Sequence, residues 1–215
     1  MTSNKFKKIG ITTRIVNAQG YEEKRDALSH DWIKLFEKYN FIPILIPNNL
    51  SNITLFLEQN SLDGIILSGG DNIGDNKERD QTEKEIIKFG IGEEIPIFGV
   101  CRGMQVLNNF FKGKITKCKD DSHIGKEHEV VISNEFISNI LNRKKILVNS
   151  YHRNIINLED MGDSFTPFAI VQKDETVEGF LHKKLPIMGV MWHPERDFNE
   201  NNELINNFLL RKISL

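Results

Sequence analysis

Cys101 lies between Gly99 and Gly103, each two residues away, in the pattern Gly-x-Cys-x-Gly. This is the thiol counterpart of the Gly-x-Ser-x-Gly elbow, where small neighbours allow a tight strand-to-helix turn that pushes a nucleophile into the open. A thiol at such a turn sits at a helix N-terminus, whose partial positive charge favours the thiolate by roughly 0.3–1 kcal/mol. A free cysteine is more often a small core hydrophobe, so a base is needed to decide. His193 offers one, and Glu195, two residues along an extended chain and so on the same side, can fix the tautomer of its ring. Pro194 stiffens the link between them. A lone His-Pro-Glu is more often a surface turn, but joined to a cysteine elbow it points to acyl transfer through a thioester.

These residues need elements to position them. Pro96 to Val100 reads as a buried strand, and from Met104 the spacing turns helical, with Met104, Leu107, Phe110 and Phe111 on one face. Ile187 to Glu195 is a second apolar run ending in polar groups. Upstream, Lys8 to Thr13 reads as a strand closed by Arg14, either a solvated charge or a substrate contact at the carboxyl end of a sheet. Helical spacing is read over Glu22 to Tyr39, on Leu28, Trp32, Leu35, Phe36 and Tyr39. A strand at Ile42 to Pro47, a short helix through Leu55 to Leu57 and a strand at Gly64 to Leu67 follow. Strands alternating with helices argue a doubly wound, mainly parallel sheet with helices on both faces.

Ser68-Gly69-Gly70-Asp71 ends the third strand as an ordinary glycine turn or as a loop aiming amides at an anion. Asp71 to Glu85 reads as a mobile polar loop ending in a capping box, Thr82-Glu83-Lys84-Glu85. Beyond Gly113, a helix stop, Lys119 to Glu129 reads as a charged loop. Its His123 and His128 are candidate metal ligands, but no third ligand has suitable spacing, so solvated loop histidines are expected. Val130 to Ile132, Lys145 to Asn149, Pro167 to Val171 and Thr176 to Leu181 are expected strands, and Glu203 to Leu210 an amphipathic helix.

The stretches Leu67 to Asp71, Gly99 to Gln105, Val148 to His152, Val177 to Gly179 and Trp192 to Glu195 together resemble the class I glutamine amidotransferase superfamily. More narrowly they resemble its free-standing γ-glutamyl hydrolase branch, which includes γ-glutamyl-γ-aminobutyrate hydrolase. The likeness runs from about Lys8 to Phe198, and it implies a flavodoxin-like fold in one domain spanning residues 1–215. It implies a Cys101, His193 and Glu195 triad, oxyanion-hole amides from Gly70 and Arg102, and a glutamyl group held by Gln105 and the backbone of Ser150 and Tyr151. His152 and Arg153 are expected beside the leaving group or in a structural role. One departure matters: the loop reads Gly70-Asp71-Asn72-Ile73 where synthase-type members carry Gly-Pro-Gly. The implied reaction is hydrolysis of a γ-glutamyl amide, with leaving groups ranging from γ-aminobutyrate to a γ-glutamyl-CDP-amidate, and with no metal or nucleotide cofactor. A glutaminase subunit feeding ammonia to a separate synthase is the alternative, and a catalytically silent binding protein of the same fold is a third reading.

Composition fits one soluble domain with small or neutral partners. The 215 residues are 39% hydrophobic, enough for one core burying roughly 70% of the unfolded surface. A net charge of −2 from 28 basic and 30 acidic residues leaves no electrostatic footprint for nucleic acid or membrane. No apolar run approaches the roughly 18 residues of a span, and Met1 to Lys8 lacks a signal-type core. Two cysteines, Cys101 and the motif-free Cys118, suit a reducing cytoplasm. The oligomeric state stays open, a homodimer included.

Overall fold

Short apolar runs bounded by glycine, proline or asparagine become strands in the computed structural model, which describes residues 6–120, 123–197 and 203–211. In chain order the first half comprises β1 (Lys7–Thr12), β2 (Arg14–Asn17), β3 (Lys24–Ala27), α1 (His30–Lys38), β4 (Phe41–Ile46), α2 (Ile53–Asn60), β5 (Gly64–Leu67), α3 (Lys77–Gly92), β6 (Ile97–Val100) and α4 (Arg102–Phe110). The second half comprises β7 (Thr116–Lys117), β8 (Ile124–Ile132), α5 (Glu135–Leu141), β9 (Lys145–Tyr151), β10 (Asn154–Ile155), β11 (Phe165–Ile170), β12 (Val177–His182), β13 (Ile187–Val190) and α6 (Glu203–Leu209). Phe198, where the family likeness ends, lies outside the described residues.

Nine strands share one sheet in the order β4-β1-β5-β6-β13-β12-β11-β8-β9. From β4 to β13 neighbours run parallel, and from β13 to β9 they run antiparallel. One face carries α1, α5 and α6 through Trp32, Phe36, Ile137, Leu141, Leu204 and Phe208. The other carries α2, α3 and α4 through Leu57, Ile86, Ile87, Met104 and Leu107. With both faces covered, β5 and β6 are buried at every residue, which is why they read as unbroken apolar runs instead of alternating ones. This is the flavodoxin-like, doubly wound architecture.

Three expectations need correction. The helix expected from Glu22 starts at His30, capped by Ser29 accepting from the Asp31 amide, while β2 and β3 form a hairpin joining Arg14 to Ala27. Helical apolar spacing begins only at Leu28, and the charged run before it has no stripe to bury. Next, α3 begins at Lys77, so Thr82 and Glu83 lie inside it and form no capping box. The loop before it shrinks to Asp71–Asn76 and is tied down: Asp75 accepts from the Asn72 amide at 3.0 Å and Asp80 from the Gly74 amide at 2.8 Å. Last, Ile124 to Glu129 belongs to β8, paired with β9, and His123 is buried, so the expected loop of solvated histidines is not there.

What fixes α3 is charge. Glu83 is fully buried and accepts from Thr12 Oγ1 at 3.0 Å, from Arg79 Nε at 3.1 Å and from the Arg102 guanidinium. The Arg79 to Glu83 spacing of four residues places both on one helical face. Removing one partner of such a set leaves buried charges uncompensated, which costs about 3–5 kcal/mol. Glu83→Ala is therefore expected to lower unfolding stability by about that amount in urea denaturation. Glu129→Ala, which removes an exposed pair with Lys145, should be indistinguishable from wild type; equal losses in the two variants would mean the buried set contributes no more than a surface pair.

Candidate active site

Register brings the candidate residues together. Leu67 on β5 stands beside Gly99 on β6, and Gly99 and Val100 stand beside Gly189 and Val190 on β13. The three strands are parallel, so their carboxyl ends release Ser68, Cys101 and Met191 side by side, where open α/β sheets bind ligands. Sequence separations of some thirty and ninety residues thereby vanish.

Cys101 occupies the turn between β6 and α4 with φ +51° and ψ −106°, a conformation that a non-glycine residue adopts only under constraint. The constraint is packing. A Cβ on Gly103 would lie 2.0 Å from the Leu67 carbonyl oxygen, and one on Gly99 would lie 2.7 Å from the Gly103 carbonyl, so both flanking positions must be glycine for α4 to reach the sheet this closely. No side chain caps α4, which leaves the amides of its first turn turned towards the thiol.

His193 is held from both ends. Its ring Nδ1 lies 2.8 Å from Glu195 Oε1, while its backbone is clamped by Asn149, which accepts from the His193 amide and donates to its carbonyl, each at 2.9 Å. His193 and Glu195 are both only 3% exposed. Burial opposes ionisation of the Cys101 thiol, but its hydrogen bond with His193, the positive charges of His193 and His152 and the Arg102 amide outweigh that and lower its pKa. For His193, burial disfavours the charged ring, yet the hydrogen bonds and charges of Cys101 and Glu195 raise its pKa to about 9. Both shifts run towards a thiolate–imidazolium pair.

The Ser68–Asp71 loop faces this pair. Gly69 packs so closely that a Cβ there would meet His193 Cε1 at 2.7 Å and Cys101 Cβ at 3.6 Å. Arg79 donates to the carbonyls of Ser68 at 2.9 Å and Gly69 at 3.0 Å. Because a trans peptide points its carbonyl and N–H in opposite directions, fixing the Gly69 oxygen on Arg79 turns the Gly70 N–H the other way. Gly70 itself has φ +127°, a conformation open to glycine and hostile to other residues. Arg79 and Asn149 thus position the loop and the base, and neither stands out in the sequence. Their only signals are a charge four residues before another on α3 and a polar residue at the end of an apolar strand.

The other expected site residues divide. Gln105, 3% exposed, reaches the Asn154 carbonyl and Met191 Sδ at 3.4 and 3.6 Å. Ser150 is buried and donates to the His123 carbonyl at 2.7 Å. Tyr151 is half exposed, its ring 6.0 Å from that of His193 and capped by the Arg196 guanidinium at 4.4 Å. Arg14 flanks Gly70, and Arg153 is exposed. The Arg102 side chain is withdrawn into the Glu83 and Asp80 carboxylates, so only its backbone is available at the elbow. The ring of His152, expected beside the leaving group or in a structural role, turns inward to the Asn154 carbonyl and Glu178. Arg196, which the sequence did not single out, takes a place on the rim.

The model of the family described as glutamine amidotransferase class-I matches residues 22–212. The γ-glutamyl-CDP-amidate hydrolase of Campylobacter jejuni is 36% identical over 203 residues, covering 90% of this chain and 92% of that protein. The glutamine-hydrolysing GMP synthase subunit of Methanopyrus kandleri is 31% identical over 146 residues, covering 67% and 73%. The solved glutaminase domain of Trypanosoma brucei CTPS has the same fold, with a TM-score of 0.71 at 16% identity over 97% of this chain and 95% of that one. No helix among the described residues is long and apolar enough to cross a membrane.

The thiolate–imidazolium balance has a measurable sign. In a Cys118→Ala background, alkylation of Cys101 by iodoacetamide is expected to titrate below the pH range of an ordinary thiol, and His193→Ala should move the profile to higher pH. Identical profiles with and without His193 would show that the ring does not stabilise the thiolate.

Proposed function

Since this chain belongs to the class I glutamine amidotransferase family, we propose that it hydrolyses a γ-glutamyl amide to glutamate and a free amine, with Cys101 as nucleophile. The observation that carries this reading is the strained Cys101 turn facing a buried His193 fixed by Glu195. The thiolate attacks the γ-carbonyl, and the Gly70 and Arg102 amides receive the oxyanion. Imidazolium His193 then protonates the departing amine, leaving a γ-glutamyl thioester. Water attacks that thioester with neutral His193 as base, and collapse of the second oxyanion releases glutamate and restores the thiol. Acyl transfer by an intrinsic nucleophile calls on no cofactor. Gln105, Ser150 and Tyr151 are the proposed holders of the glutamyl head.

On the leaving-group side, Arg14 beside Gly70 and Arg196 over Tyr151 bring cationic charge to the rim. That favours an anionic amine, and likeness to a γ-glutamyl-CDP-amidate hydrolase over nearly the whole of both chains points the same way. The second reading, a glutaminase subunit, draws support from likeness to the GMP synthase subunit of Methanopyrus kandleri.

A steady-state comparison of the isolated chain on glutamine, a neutral γ-glutamyl anilide, γ-glutamyl-γ-aminobutyrate and a phosphorylated γ-glutamyl amide separates the two. An anionic leaving group is expected to raise kcat/KM at least about tenfold over glutamine, the equivalent of one added transition-state contact of about 1.4 kcal/mol. Cys101→Ala should abolish turnover on every substrate. Equal or better activity on glutamine would favour the glutaminase reading, and residual turnover in Cys101→Ala would remove the cysteine mechanism.

A further inference from the structure

Behind the candidate site, His123 ahead of β8, His128 on β8, His152 after β9 and Glu178 on β12 converge in the interior. Their side chains are 1%, 14%, 2% and 1% exposed. His123 Nδ1 and His152 Nε2 lie 3.7 and 3.5 Å from Glu178 Oε1, and His128 Nε2 lies 3.5 Å from Glu178 Oε2. All five of these atoms are buried with no hydrogen-bond partner. Such atoms are rare singly in a folded protein, and here they face one another.

The far sides of two rings are already committed. His123 Nε2 meets Asp174 Oδ2 at 2.9 Å, and Asp174 is held in turn by the Thr176 amide and hydroxyl at 3.2 and 2.8 Å. His152 Nδ1 meets the Asn154 carbonyl at 3.0 Å, an acceptor that requires the proton on that nitrogen. These bonds place a proton on His123 Nε2 and His152 Nδ1; burial disfavours a charged His152 ring but Glu178 favours it, and that charge is supplied either by a second proton on Nε2 or by a cation bound between the rings and the carboxylate. Protons alone fit poorly, since 3.5–3.7 Å exceeds the roughly 2.7–3.2 Å of an N–H···O bond. A tetrahedral ion with ligands at about 2.0–2.1 Å separates them by roughly 3.3–3.4 Å, close to what is seen. One donor atom each from His123, His152 and Glu178 already lies within 4.8 Å of the others. Outer carboxylate and carbonyl partners on metal-bound histidines are the usual means of orienting such rings.

We propose that His123 Nδ1, His152 Nε2 and Glu178 bind one divalent transition-metal ion, with two imidazoles and a carboxylate suiting zinc, while His128 Nε2 faces the second carboxylate oxygen. The ion joins the ends of β8, β9 and β12 and so fixes the Ser150–His152 segment. It takes no part in acyl transfer, and the site stands whether or not the hydrolase reading does. Sequence spacing does not reveal such a set, because His123 precedes β8, His152 follows β9 and Glu178 lies on β12, more than fifty residues apart from first to last.

The test uses the full chain without a histidine tag, purified from zinc-supplemented medium, dialysed against chelating resin and measured by plasma mass spectrometry. About one zinc per chain is expected in wild type and in the Cys101→Ala/Cys118→Ala double variant, with at least a roughly tenfold loss in affinity in Glu178→Gln and His152→Ala. Cobalt added to stripped wild type should give the visible absorption of a tetrahedral site, and zinc should raise the melting temperature of wild type but not of Glu178→Gln. The wild-type measurements decide even if a variant fails to fold. Absence of stoichiometric metal together with no cobalt spectrum and no thermal shift would overturn the proposal, as would loss of the metal in the cysteine double variant.

Discussion

One buried carboxylate holds the geometry of the candidate site. Glu83 stands between Arg79, which grips the Ser68 and Gly69 carbonyls, and Arg102, the residue that follows the nucleophile. A single acid on α3 thus ties the loop after β5 to the elbow after β6, and with them the two amides proposed to meet the oxyanion. A flexible loop could not keep two N–H groups aimed at one point; guanidinium groups locked by a carboxylate in a dry interior can. The cost is that Arg102, placed where a substrate-reading cation would be convenient, is committed to architecture.

That cost bears on specificity. With the Arg102 guanidinium and the His152 ring turned inward, the cations on the side proposed for the leaving group are Arg14 beside Gly70 and Arg196 above Tyr151. The relatives include both a γ-glutamyl-CDP-amidate hydrolase and a glutamine-hydrolysing GMP synthase subunit, so family likeness alone does not choose a leaving group.

Most of the sheet and the elbow were legible in the sequence because they rest on local signals: unbroken apolar runs for strands covered on both faces, and glycines on either side of Cys101. Long-range signals were not legible. Strand β3 falls within the helix expected from Glu22 because its charged residues carry no period of their own. Arg79 and Glu83 were read into a loop because their reason for being helical is Arg102, on another element. His123 and His128 were read as solvated because their partners His152 and Glu178 arrive from β9 and β12, and a single sequence does not announce that three strands will bring four side chains to one point.

The position of β13 within the sheet has a consequence for how the protein is born. It lies between β6 and β12, yet among the described strands of the sheet it comes last in the sequence. Cys101 emerges from the ribosome long before His193, and until β13 slots into the gap beside β6 the sheet stays open and the cysteine has no imidazole against it. Non-local pairings of this kind form late and slowly. Until then Cys101 lacks the His193 contact that lowers its thiol pKa, and that contact arrives only with the closing of the fold.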